Sequence, residues 1–168
     1  MQTNKTIARS LSRLVQANIS RKEAYRKVYQ YAEDAQMKRF CNKWFSKSLR
    51  NISSISALAS GEGWELNEWE SLGDKVGKLF SDARLFASAL TKKVVIHFCE
   101  SREHEMLRIY DEVLDAVKGK INTGIVNELQ SQRIEFLMAL DEISQFAITK
   151  GYYSTVHNGE RIPLKHLT

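Results

Sequence analysis

Residues 34–62 read DAQMKRFCNKWFSKSLRNISSISALASGE, a stretch with the pattern of one complete long helix. Its apolar residues recur at three- and four-residue spacing, which predicts one face of an amphipathic helix. Asp34 is a suitable N-cap because its carboxylate can accept the free N–H groups of the first turn. Gly61 is placed to end the helix. The predicted buried face consists of Met37, Phe40, Cys41, Trp44, Ile52, Ile55 and Leu58.

Three more long helices are predicted around this one. The first runs from about Lys5 to Ala32, the third follows Thr91 and runs to Lys118, and the last runs from Asn122 or Thr123 to about Thr149. Glycines stand just after the last two of these segments, where helices commonly end. The predicted buried face of the first helix consists of Leu11, Leu14, Val15, Asn18, Tyr25, Val28, Tyr29 and Ala32.

A long acidic connection separates the two helix pairs. It contains Trp64 and Trp69, and Asp74 can cap a shorter helix that ends near Leu90. Two long helices, a long crossover and two more long helices predict an all-α fold of the ferritin-like type. In that arrangement a four-helix bundle has one long crossover, here containing an extra short helix. We expect residues 1–151 to form a single domain and residues 152–168 to form a C-terminal arm.

The distribution of charge divides the chain. The net charge is +5, with 12 Lys/Arg against 3 Asp/Glu in residues 1–60 and 13 against 17 in residues 61–168. The simplest interpretation is that basic and acidic helices pack together, either within one chain or between copies in a dimer. A basic face that binds nucleic acid or anionic lipid is the alternative.

The cellular location is inferred from the length of the apolar runs and from the two cysteines. No apolar run approaches the length needed to span a bilayer, and the first residues lack the apolar core of a signal peptide. Cys41 and Cys99 lie far apart, with no CxxC or Cys/His cluster nearby. We therefore expect a cytoplasmic protein with two free, buried thiols.

The pattern of carboxylates argues against the usual chemistry of such bundles. Di-metal sites take an acidic ligand from each of four helices, and residues 35–61 contain no Asp or Glu. No Glu-x-x-His motif occurs in the third or fourth helix, and the common catalytic motifs are missing. The sequence therefore predicts no cofactor and, most simply, a protein that is not an enzyme.

Glu103 is the carboxylate most in need of explanation. Its helical phase aligns it with Met106 and Tyr110 on the buried stripe, where an isolated charge is costly. It is either a metal ligand or part of a buried ion pair or hydrogen bond, and the second interpretation is preferred. The partners expected for that contact are Arg102, Lys22 or Tyr25.

Four basic residues form a stripe on the second helix, at spacings of four, four and three. They are Arg39, Lys43, Lys47 and Arg50. Such a stripe can bind phosphates in a salt-dependent manner, or it can face solvent or an acidic helix. The neighbouring aromatic residues have core-like spacing, so the second interpretation is favoured.

Across residues 11–146 the chain resembles an uncharacterised bacterial family of ferritin-like four-helix-bundle proteins. Glu23-x-Tyr25 corresponds to a Glu-Gly-Tyr step of that family, and Cys99-Glu100 with Glu103 corresponds to its Cys-Glu-Arg-Gly-Glu. Further matches are Leu11, Leu14-Val15-Gln16, Asp34, Gly61, Leu107, Tyr110, Leu114, Gln132, Asp141 and Ile143.

Departures from the family pattern weaken the implied metal site. Lys43 replaces an acidic residue, Leu140 replaces a histidine, and Ser101-Arg102 replaces Arg-Gly. Of the implied ligands only Glu23, Glu100 and Glu103 remain, a set that could hold a divalent metal weakly. The Lys43 ammonium is then a candidate source of positive charge near the former site.

The missing ligands and motifs favour a non-catalytic bundle with a structural or interaction role, and the resemblance implies a link to stress responses. The charge asymmetry and the Trp-bearing crossover predict that the protein forms a dimer, and a protein partner is the further expectation. One alternative is a metal-binding or oxidase-type bundle with a degenerate carboxylate site. A basic-face binder of nucleic acid or anionic lipid is the other.

Overall fold

In the computed structural model the described residues, 2–66 and 92–152, form four α-helices. They are α1 (Gln2–Tyr31), α2 (Ala35–Gly61), α3 (Lys92–Val117) and α4 (Thr123–Thr149). The all-α prediction is confirmed, and the helix bounds agree with the expected ones to within a few residues. The short helix expected after Asp74 and the arm beyond Tyr152 lie outside the described residues.

The helix ends follow from specific capping residues. Asp34 caps α2 as predicted, accepting hydrogen bonds from the backbone N–H groups of Gln36 at 2.8 Å and Met37 at 3.2 Å. At the other end, Gly61 is the last helical residue, but the turn is made two residues later. Gly63 adopts φ +70°, and the Trp64 N–H donates to Ala59 O at 2.8 Å, closing a Schellman motif.

Contacts between helices fix their directions. Arg21 of α1 pairs with Glu103 of α3, and Arg13, earlier in α1, pairs with Glu112, later in α3, so these helices are antiparallel. The same reversal relates α1 to α2 and α2 to α4. Hence α2 and α3 run in the same direction. The end of α2 and the start of α3 lie at opposite ends of the bundle, about 40 Å apart for helices of this length.

Two apolar clusters fill the two halves of the bundle. One half contains Ile7, Leu14, Ile55 and Leu129 among others, and the other contains Val28, Phe40, Trp44 and Phe146. All four helices also bury polar residues in the core: Asn18, Arg21, Ser48, Asn51, Glu103 and Gln132.

Most of the predicted buried face is confirmed, with three corrections. Tyr29 is 45% exposed rather than buried, because it lies beside the α1–α2 turn, where the Lys38 ammonium is 5.7 Å from its ring centroid. Val15 and Ala32 of α1 are only half-buried, and so are Ile52 and Leu58 of α2. Ala59, which the periodicity left out, is fully buried in their place.

Candidate functional site

The centre of the bundle holds a fully buried ion pair. The Arg21 guanidinium donates from Nε to Glu103 Oε1 at 2.8 Å and from Nη2 to Glu103 Oε2 at 2.9 Å. Neither side chain is exposed to solvent. Arg21 Nη1 donates to Ser48 Oγ at 3.1 Å, and the Tyr25 hydroxyl donates to Glu103 Oε1. Both carboxylate oxygens are therefore occupied by donors from the chain itself.

Aromatic rings surround the Arg21 guanidinium. Its central carbon lies 5.3 Å from the ring centroid of Tyr25, 5.2 Å from that of Trp44 and 4.8 Å from that of Phe136. These distances are in the range of cation–π contacts, which strengthen when water is excluded. The rings come from three different helices, so the cation links α1, α2 and α4 while its ion pair links α1 to α3.

The same burial determines the ionisation of the neighbouring groups. Burial by itself would lower the pKa of Arg21, but the negative charge of Glu103 more than compensates, so that pKa is raised above its ordinary value. Burial, followed by the Glu103 charge, raises the pKa of Tyr25 well above 10.0. The tyrosine thus stays protonated and able to donate, and the arginine stays charged.

A second hydrogen-bonded chain lies next to the ion pair. Asn18 donates to the Tyr110 hydroxyl at 2.8 Å, which donates in turn to Gln132 Oε1 at 2.8 Å. Gln132 then donates to Glu128 Oε1 at 2.8 Å, and Ser54 donates to the same oxygen at 2.7 Å. This hydrogen-bond network links all four helices, and a shift in the register of one helix would separate its donors from their acceptors.

The structure separates the three carboxylates that the resemblance implied. Glu103 and Glu100 both lie on the core side of α3, with Glu100 only 8% exposed. Glu23 instead faces the surface of α1, where Arg26 lies at 2.7 Å and Lys22 at 3.3 Å. Within the described residues, no three His, Cys, Asp or Glu side chains lie close enough together to hold a metal ion.

Of the partners expected for Glu103, only Tyr25 is found. Arg102 pairs with Glu105 in its own helix, and Lys22 pairs with Glu23. Arg21 was missed because basic residues are usually assigned to the surface. Its spacing could have found it, since it stands three residues after Asn18 and four before Tyr25 on the buried stripe of α1.

Two of the four residues in the basic stripe of α2 form ion pairs with α4. Lys43 forms an ion pair with Glu142 at 2.7 Å, and Lys47 pairs with Glu135, so both meet α4. Arg39 and Arg50 are exposed and form no ion pair within residues 2–66 and 92–152. Lys43, with its side chain 48% exposed, does not supply the positive charge beside Glu103. Arg21 does.

Both cysteines are free and buried in the half of the core that contains Trp44. Burial raises the pKa of the Cys41 thiol to about 12. Burial, together with the nearby Cys41, Glu103 and Glu100, raises the pKa of Cys99 well above its usual value. Neither thiol is activated as a nucleophile, because reactive cysteines have lowered pKa values.

Comparison with known proteins adds no assignment. No protein-family model matches the chain, no curated protein is significantly similar to it, and no solved structure matches it. None of the described helices is both long enough and apolar enough to cross a membrane.

Proposed function

We propose that this protein is a non-catalytic, cytoplasmic ferritin-like bundle that acts by association, as a homodimer and through protein contacts. The observation that carries the proposal is the Arg21–Glu103 ion pair. A carboxylate at the centre of a four-helix bundle is where a metal would be held, and here the chain's own cation neutralises it. The site is built to be stable rather than to exchange ligands.

The helix directions support the ferritin-like part of the proposal. Parallel α2 and α3, each flanked by antiparallel neighbours, are what a bundle with one long crossover between its second and third helices requires. The bacterial origin and the link to stress responses rest on the resemblance alone.

The two alternatives receive less support. A metal-binding or oxidase-type bundle would need Glu23, Glu100 and Glu103 together, and Glu23 instead forms ion pairs on the surface. A phosphate-binding face would need four available cations on α2, and Lys43 and Lys47 are already paired with glutamates.

Metal content tests the proposal directly. For protein purified without chelator, we expect far less than one equivalent of iron, manganese or zinc per chain. We also expect no rise in melting temperature when these metals are added, because Glu103 has no free oxygen to offer. Elemental analysis and thermal denaturation provide the two measurements.

A Glu103→Gln variant is the control for that experiment. One equivalent of metal in the wild type that disappears in Glu103→Gln would contradict the proposal and favour the metal-binding alternative. Metal that survives the substitution would place a metal site elsewhere and would equally contradict a metal-free role.

A further inference from the structure

The outward face of α4 differs from the outward faces of the other helices. Three large apolar side chains are exposed there: Ile134 at 54%, Leu137 at 45% and Met138 at 55%. Its exposed charges are few: Asp141, and Glu142, whose side chain is 38% exposed and paired with Lys43, whereas α1, α2 and α3 each expose several. Apolar residues with few charges are typical of the centre of a protein–protein interface, where methionine is also enriched.

The exposed residues of this face are spaced as in a coiled-coil seam. The seam consists of Asn127, Ser131, Ile134, Met138, Asp141 and Gln145, at successive spacings of four, three, four, three and four. Alternation of three and four keeps one stripe facing a partner helix over several turns. The seam is symmetric about Phe136, the midpoint of α4.

We propose that this seam is the homodimer interface, in which α4 packs antiparallel against α4 of a second copy. This inference rests on the proposed function and specifies the surface through which the protein associates. A two-fold axis near Phe136 would place Ile134 of one copy against Met138 of the other, at the centre of the contact. The interface is then self-complementary, as two-fold symmetry requires.

The polar residues of the seam favour a second copy over an unrelated partner. In the same register Ser131 meets Asp141, and its hydroxyl can donate to that carboxylate. Asn127 meets Gln145, and two amides can exchange hydrogen bonds. The two Asp141 carboxylates lie at opposite ends of the contact, so like charges do not oppose each other.

A groove beside the seam provides room for the second copy. Its volume is about 560 Å³, and it is lined by Lys43 of α2 and by α4 residues that include Leu137 and Met138. It exists because α2 and α4 pack less closely than the other neighbouring helices and are bridged by long side chains. The side chains of a second α4 can enter there.

Self-association of charge variants tests the interface. By light scattering and sedimentation we expect the wild type to have twice the chain mass of 19.3 kDa. Met138→Glu, which places a carboxylate at the centre of the seam, should raise the dissociation constant of the dimer by more than about tenfold. Leu49→Glu is the matched control: Leu49 is 42% exposed on α2, and its substitution should leave the dimer unchanged.

Cysteine cross-linking tests the register. A mixture of Ser131→Cys and Asp141→Cys proteins should form a disulfide-linked dimer under mild oxidation, because these positions meet in the antiparallel seam. Each variant alone should not. In a dimer of one variant, the introduced cysteines of the two copies would lie about 15 Å apart along the helix axis, beyond the reach of a disulfide.

The other outcomes of these experiments distinguish a wrong interface from the absence of a homodimer. A dimer that is equally stable in Met138→Glu, or that cross-links in either single variant, would overturn the interface and leave the proposed homodimer intact. A wild type that is monomeric at several hundred micromolar would overturn both. If the wild type is monomeric and the Met138→Glu variant melts at a lower temperature than the wild type, another part of the same chain covers the seam.

Discussion

At the scale of single residues, Arg21 and Glu103 decide the character of the core. Each charge alone would be costly to bury, and together they remain costly unless every donor and acceptor is satisfied. Here Ser48 and Tyr25 add hydrogen bonds, so that each guanidinium nitrogen and each carboxylate oxygen has a partner, and three aromatic rings surround the guanidinium. The pair is therefore retained as a unit, and losing one member is worse than losing both.

Removal of Arg21 alone should be strongly destabilising. We expect Arg21→Met to lower the free energy of unfolding by about 3–5 kcal/mol, because it leaves the Glu103 carboxylate buried without a counter-charge. The double variant Arg21→Met/Glu103→Leu should recover most of that loss. Equilibrium unfolding in urea measures all three proteins.

The matched control for this cycle is Arg26→Met. Arg26 forms an ion pair with Glu23 on the exposed side of the same helix, and such pairs contribute little. A loss in Arg21→Met no larger than in Arg26→Met would show that the buried pair does not stabilise the fold as we describe.

At the scale of helices, the ends are fixed by local chemistry that the sequence displays. Asp34 and Asn122 each accept a backbone hydrogen bond in the first turn of the helix that follows. Gly63 and Gly151 each take a positive φ just after a helix, followed by Trp64 and Tyr152, which pack on the core. Thus α2 and α4 each begin and end beside residues suited to those positions.

Loss of the α2 cap should cost a modest and pH-dependent amount. We expect Asp34→Ala to lower the free energy of unfolding by about 1 kcal/mol at pH 7. Asp34→Asn, whose side-chain oxygen can accept the same hydrogen bonds, should lose less. Unfolding in urea at several pH values makes the comparison.

The pH dependence of this effect has a defined sign. A hydrogen bond from Lys150 and bonds from the amides of Met37 and Gln36 hold the pKa of Asp34 below its ordinary value. The stabilisation by the carboxylate is therefore full above that ordinary value and is lost as the pH falls below about 4. An Asp34→Ala effect that stays constant down to pH 3 would contradict this account.

At the scale of the whole molecule, the core protects weakly acidic groups from ionising. Burial raises the pKa values of four groups on α1, α2 and α3, namely Tyr25, Cys41, Cys99 and Tyr110. In the unfolded chain the thiols ionise near pH 8.5 and the phenols near pH 10. Folding must therefore become less favourable in alkali.

The free energy of unfolding should fall as the pH rises above about 9. The Cys41 thiol, with a pKa of about 12 in the fold, stays protonated while its unfolded counterpart loses a proton. Each such thiol contributes a slope of about 1.4 kcal/mol per pH unit over that window. Unfolding in urea at pH 7, 9 and 10 measures the slope.

A Cys41→Ala/Cys99→Ala variant separates the thiols from the other groups that titrate in alkali. We expect it to be less stable at pH 7 because of lost packing, but to lose stability less steeply between pH 9 and 10. Equal slopes in the variant and the wild type would mean that the thiols are not protected by the fold.

Ion pairs between α2 and α4 also determine which surface of the molecule is left for association. The charge asymmetry between the halves of the chain is partly resolved inside one copy, where Lys43 and Lys47 meet Glu142 and Glu135. That pairing leaves the exposed face of α4 nearly without charge. It makes the α4 seam, rather than the basic stripe, the surface on which association is proposed.

Four long helices, the Asp34 cap and most of the buried faces of α1 and α2 could be predicted from the sequence alone, because these depend on spacing and on contacts within a few residues. The sequence also placed Glu103 in the core and Tyr25 among its partners. It left the outward face of α4 unrecognised, because apolar residues occur all around that helix and no single face dominates the pattern.

The pairing of the buried charges follows from how the helices pack. Arg21 and Glu103 are far apart in the chain, and the packing of α1 against α3 brings them together, while the same packing leaves Glu23 on the surface. Spacing assigns a side chain to a face of its own helix, but the register between helices selects its partner. That register turns an unexplained buried carboxylate into one half of an ion pair.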